Sequence, residues 1–232
     1  MKISVTKKCE DFKTFRSEKV KSLFNPERGN EFKIECELPD ADGDWSIGLV
    51  VGPSGTGKTS IAQQMFGGGA IYDPYEGWDH SKPIVDDINP DGSLDDVTSA
   101  LSAVGLGDVP SWLRPFGALS NGQQFRAGLA RSLFSESEAV IVDEFTSVVD
   151  RQVAKVGAGA FQKAWRARGR GKAVLVSCHY DVIDWLEPDW VFDLERKTLT
   201  KKRAAAGAAQ SSILKSERWT GGYGSTLSRI TI

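Results

Sequence analysis

The first third of the chain has the alternating apolar and polar positions that are typical of half-exposed β-strands. Residues 2–9 alternate around Ile3 and Val5, and residues 31–38 alternate strictly. In the second segment we expect these side chains to point inward: Phe32, Ile34, Cys36 and Leu38. Residues 45–51 are typical of a short buried strand. Several strands, partly antiparallel, are therefore predicted before residue 52.

The rest of the chain alternates continuous apolar runs with helical spacing. Runs at residues 139–142 and 173–176 indicate strands buried on both faces of a parallel sheet, and residues 190–194 predict a last strand. Helices are predicted over residues 94–104, 123–135, 153–168 and 181–186. Their expected inward side chains are Leu94, Val97, Leu101 and Val104, then Phe125, Leu129 and Leu133, then Val153, Val156, Ala160, Phe161 and Trp165. Alternating strands and helices predict an α/β fold with a mainly parallel sheet.

A glycine-rich stretch at residues 52–59 has the composition of a phosphate-binding loop. It reads Gly-Pro-Ser-Gly-Thr-Gly-Lys-Thr, which fits the Walker A pattern at every fixed position, and a helix is expected over residues 60–66. Its glycines allow backbone N–H groups to converge on an anion, and the helix N-terminus adds a positive dipole end. The alternative is a glycine-rich turn that fits by chance. The predicted nucleotide contacts are Gly52, Pro53, Ser54, Gly55, Thr56, Gly57, Lys58, Thr59 and Ser60.

Four side chains, two in this loop and two later in the chain, are candidates for the chemistry. Lys58 is expected to reach the β- and γ-phosphates of a nucleotide, and the Thr59 hydroxyl to bind Mg²⁺. Asp143 follows the buried run at residues 139–142, where ligands bind in α/β folds, and is a second candidate Mg²⁺ ligand. Glu144 is a candidate to orient or deprotonate an attacking water. The alternative is a solvated acidic turn.

Residues 119–123, Leu-Ser-Asn-Gly-Gln, open the predicted helix that follows. Ser120 and Gln123 have the spacing of a capping box, and a capped helix N-terminus with a serine and a glycine, Gly122, is a second candidate anion site. The stretch resembles the LSGGQ signature of the ATP-binding-cassette (ABC) ATPases, with Asn121 in place of the first glycine. It lies between the two motifs above, as in that family.

Further motifs extend this resemblance over residues 2–199. Residues 147–150, which end in Asp150, resemble the D-loop of the family, and His179 resembles the switch histidine that contacts the γ-phosphate. The resemblance also implies an aromatic ring that stacks on adenine. Phe15 fits this role best, and Phe12 and Phe24 stay open as alternatives.

The implied fold is that of a P-loop NTPase of the ABC type. It has a mainly parallel sheet, an antiparallel N-terminal sheet and a small helical subdomain over roughly residues 93–135. The ATPase domain is expected over residues 1–200, followed by a basic linker and tail at residues 201–232. The implied catalytic residues are Lys58, Glu144 and His179.

The family resemblance also implies partners and cofactors. Two subunits are expected to dimerise head to tail around two ATP molecules and Mg²⁺, with the signature residues Ser120, Gly122 and Gln123 of one subunit completing the site of the other. Asp150 is a further expected nucleotide contact. Hydrolysis of the γ-phosphate is then expected to release the dimer.

One departure bears on the partner. The family has a glutamine after the strand that follows the first helix, whereas no glutamine lies between Gln64 and Gln123, and Asp86 or Asp87 takes that place after residues 83–85. We therefore expect a soluble switch that acts on an unknown protein partner. Residues 177–190 resemble ATPases found beside acetyltransferase domains. The alternatives are the nucleotide-binding subunit of an ABC transporter, with separate membrane subunits, and a nucleic-acid-associated ATPase.

Composition and charge limit the remaining possibilities. The 232 residues are 40% hydrophobic and contain three scattered cysteines and two histidines, which argues against a disulfide framework or a zinc site. No apolar run reaches the ~18 residues of a membrane span, and the N-terminus lacks the apolar region of a secretory signal, so a cytoplasmic location is expected. Residues 196–232 hold eight basic residues and one acidic residue. Such a tail is a candidate nucleic-acid contact, although most short basic clusters are solvated chain ends.

Overall fold

Two β-sheets form the framework of the computed structural model, which describes residues 1–8, 12–24, 31–67 and 73–202. The strands are β1 (Lys2–Lys8), β2 (Glu31–Glu37), β3 (Ile47–Val51), β4 (Ala139–Val142), β5 (Lys172–Ser177), β6 (Trp190–Asp193) and β7 (Thr198–Lys201). The larger sheet has the order β4-β5-β3-β6-β7, and its neighbouring strands are parallel except for the antiparallel pair β6 and β7. The carboxyl ends of β3, β4 and β5 therefore lie at one edge of the sheet.

Helices flank this sheet and connect its strands. They are α1 (Phe15–Phe24), α2 (Lys58–Met65), α3 (Ile84–Asp87), α4 (Leu94–Ala103), α5 (Val109–Trp112), α6 (Asn121–Ser132), α7 (Arg151–Arg168) and α8 (Val182–Leu186). In the part of the chain that the structure describes, no helix combines the length and apolar character needed to cross a membrane. The predicted α/β fold, with a mainly parallel sheet, is confirmed.

The smaller sheet is the antiparallel pair of β1 and β2. Ile3 lies opposite Cys36 and Val5 opposite Ile34, and Ile3, Val5 and Ile34 are buried. They pack with α2 and with the face of the larger sheet that includes Val50. The antiparallel N-terminal sheet is therefore confirmed, while Cys36 is only half-buried. The side chain of Phe32 lies outside the described part.

The opposite face of the larger sheet packs against α4, α6, α7 and α8. Alternate residues of β3 serve the two faces, because Leu49 belongs to this second core and Val50 to the first. All residues of β3 and β4 are buried, as the continuous apolar runs predicted. The nucleotide-binding motifs are thus carried by strands with no exposed residue.

Several details differ from the sequence expectations. Strand β7 was not predicted, and residues 84–87 form a helical turn rather than the end of a strand, since Pro83 is extended at the N-cap and Asp86 and Asp87 occupy the first turn. Leu94 is 66% exposed because it is the first residue of α4, and Val156 in α7 is 56% exposed. In α7 the buried positions are Ala154, Gly157, Ala158, Phe161 and Trp165. Of the predicted linker and tail at residues 201–232, Lys201 ends β7 and residues 203–232 lie outside the described part.

A close helix contact gives a stability test with a matched control. A Cβ on Gly157 would lie 2.5 Å from Cε1 of the buried Phe125 ring, whereas a Cβ on Gly159 would lie 3.8 Å from the nearest atom, the carbonyl oxygen of Trp185. Both substitutions to alanine gain similar helix propensity. We expect G157A to be less stable than G159A by about 1–3 kcal/mol, the cost of overpacking a core.

The measurement is urea unfolding of both variants beside the unmodified protein. Equal unfolding free energies for G157A and G159A would show that Phe125 and α7 are not in this close contact.

Candidate nucleotide-binding site

The Walker A loop connects the carboxyl end of β3 to the start of α2. Gly55 and Gly57 have φ angles of 77° and 89°, a region that glycine enters without the steric penalty of a Cβ. A Cβ on Gly55 would meet nothing within 4 Å, so the loop leaves open space at that point. Helix α2 begins at Lys58 and has no side-chain cap on its first N–H groups. The loop therefore has the free backbone donors that an anion requires.

Lys58 is a buried cation with donors to spare. Its side chain is 5% exposed, and Nζ donates to the carbonyl oxygen of Pro53 at 2.8 Å. Among the described residues, no carboxylate oxygen lies within 4.0 Å of this ammonium group. An ammonium group has three donors, and a buried charge without a counter-ion is costly. This environment fits an anionic ligand such as a phosphate.

Thr59 and Asp143 lie together although 84 residues separate them. The Thr59 hydroxyl donates to Oδ2 of Asp143 at 2.8 Å, and Oδ1 accepts the N–H of Glu144 at 2.9 Å. A hydroxyl and a carboxylate are oxygen ligands of the kind that Mg²⁺ takes, together with phosphate and water oxygens. The described residues contain no cluster of three or more His, Cys, Asp or Glu that could hold a metal by themselves. The donor set therefore fits a magnesium ion shared with a phosphate ligand.

Glu144 and His179 lie on neighbouring loops that contact each other. Glu144 is exposed, and its Oε2 accepts a hydrogen bond from the Ser147 hydroxyl at 2.7 Å. Ser147 Oγ lies 3.8 Å from Sγ of Cys178, the residue before His179. Ser177 Oγ donates to the carbonyl oxygen of Phe145 at 2.9 Å and accepts the N–H of His179 at 3.1 Å. The structure thus brings together the segments that carry Glu144 and His179, two of the three predicted catalytic residues.

Tyr180 connects the His179 segment to the end of β6. Its hydroxyl lies 3.2 Å from both Asp193 Oδ1 and Glu195 Oε2. Burial and then the negative charge of Asp193 raise the pKa of Tyr180 to about 12. The hydroxyl therefore keeps its proton at neutral pH and remains a donor to these carboxylates.

The signature residues lie at the start of α6. The predicted capping box is present, with the Ser120 N–H donating to Gln123 Oε1 at 3.0 Å. Gln123 Nε2 donates to the Ser111 hydroxyl in α5 at 2.6 Å, so this side chain holds two helices together. Ser120 itself is exposed. A nucleotide contact by Ser120, Gly122 and Gln123 stays a prediction.

The remaining predicted site residues are Asp150 and the candidate adenine-stacking rings. Asp150 caps α7, because its Oδ1 accepts the N–H groups of Gln152 and Val153 at 2.9 and 3.0 Å. Phe15 is 84% exposed, so its ring packs on little of the chain, and adenine stacking stays a prediction. Phe12 is 66% exposed, and the side chain of Phe24 lies outside the described part.

Asp86 and Asp87 differ in their surroundings. Asp87 Oδ2 accepts the N–H of Asp79 at 2.8 Å, which ties α3 to the preceding loop, whereas Asp86 is exposed. Neither the structure nor the spacing assigns the coupling role of the missing glutamine to one of them.

Three residues with contacts near the site were not among the sequence candidates: Ser147, Arg151 and Tyr180. Ser147 lies inside the D-loop segment, so its position relative to Glu144 was a usable signal. Arg151 and Tyr180 act through Asp181 and Asp193, and nothing local in the sequence indicates those pairings.

Solved structures give a comparison for the fold. The chain resembles a dimeric post-hydrolysis ATP-binding cassette, MJ0796, bound to ADP and phosphate, with a TM-score of 0.59 at 13% identity over 88% of this chain and 100% of that one. A metal-chelate type ABC transporter in an inward-facing conformation gives a TM-score of 0.52 at 16% identity, over 73% of this chain and 75% of that chain. The described residues therefore share the fold of ATP-binding cassettes.

Proteins of similar sequence give a second comparison. A probable metal transport system ATP-binding protein of Chlamydia pneumoniae is 38% identical over 82 residues, which are 35% of this chain and 29% of that protein. The hemin import ATP-binding protein HmuV of Rhodococcus jostii (strain RHA1) is 32% identical over 137 residues, or 57% of this chain and 43% of HmuV. No family model matches the chain. Part of the chain is thus similar in sequence to ATP-binding proteins of transport systems, and the chain spans less than half the length of these two relatives.

The contact between Thr59 and Asp143 gives a test of the metal site. Asp143→Asn removes the charge that would bind Mg²⁺. We expect the variant to bind ATP roughly 10- to 100-fold more weakly than the unmodified protein when Mg²⁺ is present. The affinity measured without the metal should change little. The measurement is ATP titration by calorimetry with and without Mg²⁺.

Asp95→Asn, which alters an exposed carboxylate in α4, is the matched control and should keep the full magnesium effect. A D143N variant that also keeps it would exclude Asp143 as a ligand.

Proposed function

We propose that this chain binds Mg-ATP at residues 52–60 and hydrolyses the γ-phosphate. The observation that carries the proposal is the meeting of Lys58, Thr59 and Asp143 at one edge of the sheet. The 2.8 Å hydrogen bond from Thr59 to Asp143 pairs two magnesium ligands beside a buried ammonium group that no described carboxylate neutralises. The curated relatives, which are named as ATP-binding proteins, support the same ligand.

In this proposal each residue has a defined task. Lys58 leaves the Pro53 carbonyl and donates to phosphate oxygens, and the backbone N–H groups of residues 55–60 complete the anion site. Glu144 accepts a proton from, or orients, the attacking water, and Ser147 holds its carboxylate through their 2.7 Å hydrogen bond. His179 contacts the γ-phosphate. Magnesium supplies charge neutralisation on the phosphates when it is bound.

We further propose that two copies of the chain share each nucleotide. Ser120 is exposed at the N-terminus of α6, and this helix end is a second candidate anion site in addition to α2. Ser120, Gly122, Gln123 and Asp150 of one subunit would then close the site of the other. The resemblance to cassettes described as dimeric supports this arrangement.

A membrane transporter is the partner that the relatives favour. The similar proteins are named for metal transport, phosphonate import, hemin import and nickel import. We therefore propose first that this chain is the nucleotide-binding subunit of a transporter whose membrane subunits are separate chains. It would then act at the cytoplasmic face of the membrane.

A cytoplasmic switch on a protein partner is the second candidate. It rests on the absence of any glutamine between Gln64 and Gln123 and on the structural use of Asp87, which is tied to Asp79. A nucleic-acid role depends on the basic tail, of which residues 203–232 lie outside the described part of the chain.

The shared site and the partner can be tested with one variant. Glu144→Gln keeps the size of the side chain but cannot accept the proton, so we expect it to bind Mg-ATP, hydrolyse it more slowly by about 10²–10⁴-fold and accumulate as a dimer. Light scattering measures the dimer, and affinity purification with ATP from a detergent-solubilised native extract identifies what is bound. Recovery of a polytopic membrane protein supports the transporter role, and recovery of only a water-soluble protein supports the switch.

Lys58→Ala is the control, since it should neither bind ATP nor dimerise. If E144Q binds Mg-ATP yet stays monomeric at every protein concentration, the shared-site proposal is wrong while ATP binding stands.

A further inference from the structure

Arg151, the first residue of α7, contacts three separate parts of the chain. Its Nε donates to Asp181 Oδ2 at 3.0 Å and Nη2 donates to Oδ1 of the same carboxylate. Nη1 donates to the Thr146 hydroxyl at 3.3 Å. The guanidinium also lies over the Trp185 ring, 4.9 Å from its centroid. The guanidinium group thus contacts Thr146, Asp181 and Trp185 at once.

Two of these contacts lie beside the proposed catalytic residues. Thr146 is two residues after Glu144, and Asp181 is two residues after His179. Thr146 is 1% exposed and has a φ of 70°, and Glu144 has a φ of 49°. Residues with side chains rarely adopt positive φ, so a turn with two such residues depends on contacts from outside it.

We propose that Arg151 is a positioning residue that fixes the Glu144 turn relative to the His179 segment. This inference rests on the proposed function, because it concerns the geometry of hydrolysis at that site. The Ser177 hydroxyl, which donates to the Phe145 carbonyl oxygen and accepts the His179 N–H, holds the inner ends of the two loops. Arg151 holds their outer parts, through Thr146 on one side and Asp181 on the other.

The chemistry of arginine explains why this residue type occupies the position. Its planar fork matches a carboxylate with two parallel hydrogen bonds, and its third nitrogen remains free for Thr146. A lysine ammonium cannot reproduce this geometry. The side chains of Arg151 and Asp181 are 36% and 46% exposed, so their ion pair contributes little to global stability. Its effect is therefore expected in the placement of the loops.

The other end of α7 provides a matched control. Arg166 forms a comparable ion pair with Asp189, with Nη2 3.0 Å from Oδ1, and their side chains are 33% and 24% exposed. Asp189 accepts the N–H groups of Ser46 and Ile47, where β3 begins. This pair lies at the end of β3 opposite to the Walker A loop, so its loss should not alter the catalytic loops.

The experiment compares R151Q, R151K and R166Q with the unmodified protein by hydrogen–deuterium exchange and by steady-state ATP hydrolysis. We expect R151Q to exchange faster at residues 144–147 and 179–181, and R166Q to exchange faster only around residues 46–47. In R151Q, kcat should fall roughly tenfold or more, because misplaced groups lose near-attack geometry. KM for ATP should change less than about twofold, since the Walker A contacts remain. R151K should resemble R151Q, and R166Q should keep the unmodified kcat.

Three outcomes would overturn the inference. Unchanged exchange at both segments in R151Q would show that Arg151 does not hold them. Faster exchange with an unchanged kcat, or an equal loss of kcat in R166Q, would show a purely structural role. Hydrogen–deuterium exchange does not depend on hydrolysis, so it tests the contacts of Arg151 whether or not the protein hydrolyses ATP. An unmodified protein without ATPase activity would contradict the proposed function.

Discussion

The hydrogen bond between Thr59 and Asp143 is the contact on which the proposed site depends. It joins the first turn of α2 to the end of β4. Helix α2 follows β3, and β3 and β4 are not adjacent in the sheet because β5 lies between them. Parallel pairing brings the carboxyl ends of these three strands to the same edge, and each strand continues directly into a loop with candidate site residues. The strands are buried on both faces, so the positions of these loops follow from the packing of the core.

Helix α6, which begins with the signature residues, and helix α7 lie next to this edge. A Cβ on Gly122 would lie 3.3 Å from the Val153 side chain, so the start of α6 packs closely on the first turns of α7. The buried rings of Phe125 in α6 and Phe145 after β4 lie 5.6 Å apart. The helix that begins with the signature residues therefore packs, through Phe125, against the loop that carries Glu144 within the same subunit. A shift of α6 on dimer formation would be transmitted to that loop through the contact between the Phe125 and Phe145 rings.

Local motifs explain what the sequence could predict. The Walker A loop, the capping box at Ser120 and the buried strands are set by neighbouring residues, and all of them are present. The helical turn at residues 84–87 and the exposure of Val156 were not predicted, because they depend on which segment packs against them. The same holds for Arg151, whose partner Asp181 is 30 residues away. The short overlap with the relatives leaves the partner a matter of proposal.

A crystal structure with Mg²⁺ and a non-hydrolysable ATP analogue tests the central claim most directly. The account predicts that Thr59 Oγ1 binds the metal at about 2.0–2.1 Å, that Asp143 binds it directly or through water, and that Lys58 Nζ contacts phosphate oxygens instead of the Pro53 carbonyl. A nucleotide bound elsewhere, with the Thr59 to Asp143 and Lys58 to Pro53 hydrogen bonds unchanged, would contradict it.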